Sequence, residues 1–107
     1  MMPPRNLHVT SRAQGSTHVL SVTGQIDVAT VDELAGQIRD ALAQDPELIV
    51  VDLSAVGFIG SGGLGTLLEA DGNARASGCQ LVVIPGTGVV RRLLDRTNAE
   101  QRLTIAV

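Results

Sequence analysis

The sequence predicts an α/β domain built on a mixed, mostly parallel sheet, and three observations carry that prediction. Strand-like and helix-like apolar patterns succeed one another in the order β-β-α-β-α-β-α-β, the order that βαβ crossovers require. The segment Leu48-Ile49-Val50-Val51-Asp52-Leu53 is almost wholly apolar, as expected of a central strand covered on both faces. At 107 residues, the chain suits one core and one domain.

Residues 1–6, with Pro3 and Pro4, are expected to form a flexible tail, and 7–107 the domain. Leu7-His8-Val9-Thr10-Ser11 alternates in polarity, Gly15-Ser16 supplies a turn, and Val19-Leu20-Ser21-Val22 resumes with β-branched residues. This predicts an antiparallel hairpin ended by Gly24, with His8 and His18 exposed on facing strands. From Val31, the residues Leu34, Ala35, Ile38 and Leu42 recur at helical spacing. Thr30 is the expected N-cap and Glu33 its capping-box partner. Asp45-Pro46 stops this helix ahead of the central strand, at whose end Asp52 is placed to bond local backbone.

A second helix is expected from about Ser61 to the Ser77-Gly78 break, with Leu64, Leu67 and Leu68 on successive turns. Cys79 opens the next strand, Leu81–Ile84, as a small buried hydrophobe. Pro85-Gly86-Thr87-Gly88 leads into a third helix bearing Val89, Val90, Leu93 and Leu94, closed by Asn98 in a left-handed cap. Leu103–Val107 is the last predicted strand.

Composition removes several functions. Apolar residues make up 44% of the chain, yet Phe58 is its single aromatic, so the core must be aliphatic. Single-stranded nucleic acid is commonly bound by stacking on aromatic rings, and quaternary ammonium groups by aromatic cages. Eight arginines, no lysine and eleven acids give a net charge of −3, which leaves no overall basic footprint for direct nucleic-acid binding. What basic character exists lies in the second half, where Arg91, Arg92 and Arg96 cluster on the third predicted helix. Cations near a helix C-terminus also serve simply to complement its dipole. One cysteine excludes an internal disulfide, and no apolar run approaches membrane-spanning length. With no signal-peptide pattern, a cytoplasmic protein without membrane association is expected.

Chemistry concentrates in Gly57-Phe58-Ile59-Gly60-Ser61-Gly62-Gly63-Leu64-Gly65, where five of nine residues are glycine. Such a stretch ahead of a helix offers backbone N–H groups to an anion. It satisfies G-x-G-x-x-G literally, but Ser54–Ile59 separate it from the predicted strand, and no acid stands about 20 residues on to hold a ribose. Ser61 on a strand-to-helix turn invites comparison with a hydrolase nucleophile. That reading requires an acid and a histidine after the serine, and both histidines precede it. The absence of lysine removes a P-loop, and one Cys with two His in no ligand spacing gives neither metal site nor cofactor. Two readings of Ser61 remain: an N-cap of the second helix, and a phosphoacceptor whose added charge meets free N–H groups and the positive end of the helix dipole.

Beyond this loop, Ile49-Val50-Val51-Asp52-Leu53-Ser54, Val56-Gly57-Phe58-Ile59 and Ser61-x-Gly63-Leu64-Gly65 together resemble the signature of anti-sigma factor antagonists, the STAS domains. Gly24-Gln25-Ile26-Asp27-Val28-x-Thr30 is similar to the family's segment before its first helix, and Val90-Arg91-Arg92-Leu93-Leu94-Asp95 to its third-helix pattern. The resemblance spans nearly the whole chain and implies a STAS-like fold without catalytic activity of its own. It implies an unphosphorylated antagonist that binds an anti-sigma factor serine kinase and so frees a sigma factor for transcription. Phosphorylation would end that binding, and a PP2C-type phosphatase would restore it.

Carried over by position, Ser61 matches the phosphoacceptor, and Asp27, Gly60, Gly62, Gly63, Leu64, Arg91 and Arg92 are the accompanying partner-binding candidates. The usual D-S-[ST]-G-L is altered here, since Gly60 and Gly62 remove a carboxylate and a hydroxyl beside Ser61. The alternative on the same fold is an unphosphorylated interaction module that holds a nucleotide or other anion at Gly60–Gly65. Phe58 is expected to be a buried anchor beneath the loop.

Overall fold

The structure is a computed structural model that describes residues 6–106. Strands β1 (Leu7–Gln14) and β2 (Thr17–Ile26) form the hairpin, turning at Gly15 with φ +62°. Helix α1 (Val31–Leu42), β3 (Leu48–Ile59), α2 (Ser61–Ala76), β4 (Gln80–Ile84), α3 (Val89–Thr97), a 3-10 turn (Ala99–Gln101) and β5 (Thr104–Ile105) follow. The strands lie in the order β1-β2-β3-β4-β5. The β1–β2 pairing is antiparallel and the other three pairings are parallel, which is the predicted α/β topology.

The core is aliphatic, as the composition requires. Leu20, Val22, Ile49, Val51, Leu81 and Val83 line one face of the sheet and are essentially inaccessible. Leu34, Ile38 and Ala41 of α1, with Leu67, Ala70 and Ala74 of α2, are buried in the same cluster. The other face differs from expectation: Leu48, Val50 and Asp52 of β3 and Val82 and Ile84 of β4 are only half-buried. The apolar run that predicted cover on both faces therefore has full cover on one.

Two predicted strand ends are corrected. Strand β2 passes through Gly24 to Ile26, because Gly24, at φ +97°, adopts a conformation closed to most side chains. A Cβ there would collide with the Asn6 carbonyl. Asn6, the one described residue of the expected tail, accepts a bond from Gln25 N–H; residues 1–5 lie outside the described residues. Strand β3 likewise continues six residues beyond Leu53, carrying Ser54–Ile59 within the strand. Register shifts against β2 fall between Ser21 and Thr23 and between Gly24 and Gln25. These bulges replace the period-2 pattern by Leu53, Val56 and Ile59 as the buried positions, which hides the strand from periodicity. Asp52, in mid-strand, accepts from the Ser54 N–H at 3.0 Å and the Ser54 hydroxyl at 2.6 Å.

Smaller corrections concern side-chain placement. His8 stands opposite Thr23 and His18 opposite Ala13, so the histidines do not face one another. Cys79 is buried just before β4, and burial pushes its thiol pKa above the ordinary range. Asn98 caps α3 at φ +58° as predicted. The last strand is shorter than expected, with Leu103 buried ahead of it, and Val107 lies outside the described residues.

Candidate functional site

The glycine-serine segment sits at the end of β3, where the chain turns without a loop into α2. Gly60 is the N-cap, extended at φ −90° and ψ 175°, and Ser61 is the first helical residue. Ser61 is therefore not the side-chain cap that one reading proposed. Its side chain is exposed and makes no hydrogen bond among the described residues. The Gly60 carbonyl accepts from Gly63 N–H at 3.0 Å and Leu64 N–H at 3.4 Å. The N–H groups of Ser61 and Gly62 stand ahead of the helical ladder, where a helix leaves its donors unpaired. Because β3 runs to Ile59, the separation that counted against a dinucleotide loop disappears; the missing acid still counts against it.

Ile26 fixes this corner from behind. Its carbonyl accepts the Gly60 N–H at 3.0 Å, and its side chain packs where α2 begins. A Cβ on Gly63 would stand 2.7 Å from Ile26 Cγ2 and 2.8 Å from Ile59 Cγ1, so only glycine lets α2 sit this close to the ends of β2 and β3. Gly62 and Gly65 have no neighbour within 4 Å of such a Cβ and face outward. Leu64 is half-buried against the core.

Asp27 lies on the adjoining loop between β2 and α1. Its Oδ1 accepts from the N–H groups of Ala29 at 3.0 Å and Thr30 at 3.1 Å, while Thr30 Oγ1 accepts from Asp27 N–H at 2.9 Å and donates to the Gln25 carbonyl at 2.8 Å. The expected capping box at Thr30 and Glu33 is replaced by this ring. Thr30 already has near-helical backbone, φ −117° and ψ −13°, and Asp27 satisfies the donors ahead of it. The Asp27…Thr30 spacing was the available signal, since short polar side chains bond backbone two and three residues on.

Phe58 contradicts its expected burial, being 49% exposed. The register shift at Gly57 explains it: the shift turns Ile59 into the core, so Phe58, paired with Gln25 in the register, turns outward. Its ring edge lies 3.8 Å from where a Gly60 Cβ would stand. Val28, on the Asp27 loop, is 95% exposed. Arg91 and Arg92 occupy the first turns of α3, and Arg96 alone lies in its last turn. Gly86, ahead of α3, packs on Ser54, level with the middle of β3. No hydrogen bond or ion pair joins Arg91 or Arg92 to Gly60–Leu64 among the described residues. The structure thus brings Asp27, Gly60, Ser61, Gly62, Gly63 and Leu64 to one corner through the bond between Ile26 and Gly60, and carries Arg91 and Arg92 on a separate element, α3.

The fold and this corner define an α/β domain that displays an unencumbered serine at the head of a helix. Residues 9–105 match the family described as Mlab, STAS domain, and the chain belongs to the STAS domain family. It is 35% identical over 92 residues to the anti-sigma-F factor antagonist RsfB of Mycobacterium tuberculosis, spanning 86% of this chain and 75% of that protein. The crystal structure of an anti-sigma factor antagonist from Mycobacterium paratuberculosis superposes with a TM-score of 0.79 at 29% identity, over 98% of this chain and 89% of that one. The anti-sigma factor antagonist SpoIIAA of Bacillus, in its unphosphorylated form, has a TM-score of 0.77 over 94% of this chain and 89% of its own. At 18% identity, that likeness is one of fold. Among the described residues, no helix is long and apolar enough to cross a membrane.

Proposed function

We propose that this chain is an anti-sigma factor antagonist, a binding switch without catalytic activity, controlled by phosphorylation of Ser61. Its partner is an anti-sigma factor that is also a serine kinase. The contact surface is centred on Gly60, Ser61, Gly62, Gly63 and Leu64, with the Asp27 loop beside it and Arg91 and Arg92 on the flank. Binding of the unphosphorylated form releases a sigma factor and so regulates transcription. The observation that carries this reading is the exposed, unbonded Ser61 hydroxyl on a helix N-terminus that is itself firmly anchored.

In the transfer, Ser61 Oγ forms a bond to the γ-phosphorus of ATP as the bond to ADP breaks, and the hydroxyl proton passes to a base of the kinase. The product adds a charge of about −1.5 to −2. Beside the N-terminus of α2 that charge is locally favourable by ~0.3–1 kcal/mol. Buried in an interface without a matched cation, it costs several kcal/mol, and ~2.7 kcal/mol is already a hundredfold in affinity. The interface term dominates, so the domain stays folded and the complex dissociates. A PP2C-type phosphatase resets the switch.

Incubation with each of the organism's anti-sigma factor kinases and ATP, followed by intact mass, tests the reading. The expected result is a gain of ~80 Da, one phosphoryl group, lost in Ser61→Ala. No gain with any kinase, together with anion-dependent thermal stabilisation, favours the anion-binding alternative at Gly60–Gly65.

A further inference from the structure

Val28 and Phe58 are the large apolar side chains that stand exposed among the described residues; Phe58 lies three residues before Ser61, and Val28 lies on the Asp27 loop. The hydrogen bond from Gly60 N–H to the Ile26 carbonyl ties the end of β2, two residues before Val28, to the start of α2. The Phe58 ring edge reaches the space that a Gly60 side chain would enter, 3.8 Å from where its Cβ would stand. The other large aliphatic side chains among the described residues are buried or half-buried. An exposed aromatic beside the control residue, in a chain with one aromatic in all, is the composition of an interface anchor.

The switch needs such an anchor. Charge placed on a wet surface is screened and alters affinity little, whereas charge in a patch stripped of water alters it greatly. Apolar contacts that exclude water from their surroundings create that dry patch. Resting on the preceding reading, we infer that Phe58, assisted by Val28, is the anchor that seats in an apolar socket of the anti-sigma factor. By dehydrating Ser61, it converts phosphorylation into loss of binding. Phe58 is thus a specificity-determining residue that acts through the environment of Ser61, and the socket it fits is lined by aliphatic or aromatic side chains.

A double-mutant cycle tests this. Wild type, Phe58→Ser, Ser61→Asp and the double variant are titrated calorimetrically against the anti-sigma factor kinase that phosphorylates wild type. Phe58→Ser is expected to remain cooperatively folded and to bind about tenfold more weakly or worse, Phe58→Leu to recover most of the affinity, and Val28→Ser to lose a smaller part. Ser61→Asp is expected to cost several-fold less in the Phe58→Ser background than in wild type, since the charge then sits in a wetter contact. Additive effects, or undiminished binding by Phe58→Ser, overturn the inference while leaving the phosphorylation reading intact. Loss of cooperative unfolding in Phe58→Leu assigns the ring a structural role and overturns it. So does dissociation of a homodimer by Phe58→Ser in sedimentation, because the anchor then serves a second copy. Failure of wild type to bind any of the kinases overturns the reading beneath it and the inference with it.

Discussion

Asp27 and Thr30 hold one another: the Asp27 N–H donates to Thr30 Oγ1 at 2.9 Å, and the Thr30 N–H donates to Asp27 Oδ1 at 3.1 Å. This reciprocal pair turns the chain from β2 into α1 and satisfies the Asp27, Ala29 and Thr30 N–H groups of the turn that precedes the helix. The loop that borders Ser61 therefore owes its shape to its own side chains, and a partner approaching it meets a preformed surface.

Asp27→Ala should lower stability by ~1 kcal/mol, the ordinary cost of losing side-chain bonds to backbone N–H groups. Thr30→Val should cost a comparable amount, because the Asp27 N–H and the Gln25 carbonyl lose their partner. Urea unfolding of the single and double variants measures both. Since the Thr30 hydroxyl and the Asp27 carboxylate also meet one another at 3.2 Å, a contact that either single variant removes, the double variant should cost less than the sum.

Gly63 and Gly65, on the same helix, should respond oppositely to alanine. Gly63→Ala forces a methyl to within 2.8 Å of Ile26 and Ile59 and should destabilise by ~1–3 kcal/mol. Gly65→Ala meets nothing within 4 Å and should stabilise by up to ~1 kcal/mol through helix propensity. Thermal unfolding of the two variants settles the signs.

Cys79 governs alkaline stability. The chain has no lysine and no tyrosine, and arginine does not deprotonate in this range, so Cys79 is the side chain that titrates there. Burial raises its pKa in the fold. Its contribution is thus fully present below the unfolded thiol's pKa, ~8.5, and falls as pH rises from there toward the folded value, because the unfolded chain releases the proton first. Unfolding free energy measured from pH 7 to 10 should decline in wild type and decline less in Cys79→Ala.

Ser61→Asp should leave the thermal midpoint unchanged or slightly raised, as an acid at the first helical position complements the dipole. The same variant should bind the anti-sigma factor at least ~100-fold more weakly, the effect of ~2.7 kcal/mol. Equal affinity of the two proteins would falsify the switch.

The order of elements was legible in the sequence because each helix and each regular strand keeps its own apolar period. Ile49, Val51 and Leu53 alternate cleanly, and Leu34, Ile38 and Ala41 form one helical stripe. Legibility failed where the backbone leaves ideal geometry. Bulges near Ser54 and Gly57 shift β3 from a period of two to a spacing of three, and the same shift turns Ile59 inward and Phe58 outward. Ser61 was identifiable from local chemistry, but the support given by Ile26 was not. That residue contributes through a main-chain carbonyl and a methyl contact to Gly63, and neither leaves a mark in residue type. Arg91, Arg92 and Arg96 read as one basic cluster on the third helix, yet only Arg96 lies in its last turn, so complementing the helix dipole accounts for Arg96 and not for the other two.

The grip of Ile26 on Gly60 and Gly63 has one further consequence. A helix clamped at its first turn by a main-chain bond and by a contact that tolerates no added atom has little freedom to shift when Ser61 is modified. The message is read where it is written, at the surface, and is not relayed through the interior. Hydrogen–deuterium exchange should register this directly: protection at Gly63, Leu67 and Val51 stays the same whether or not Ser61 carries a phosphoryl group, while the partner alone senses the difference.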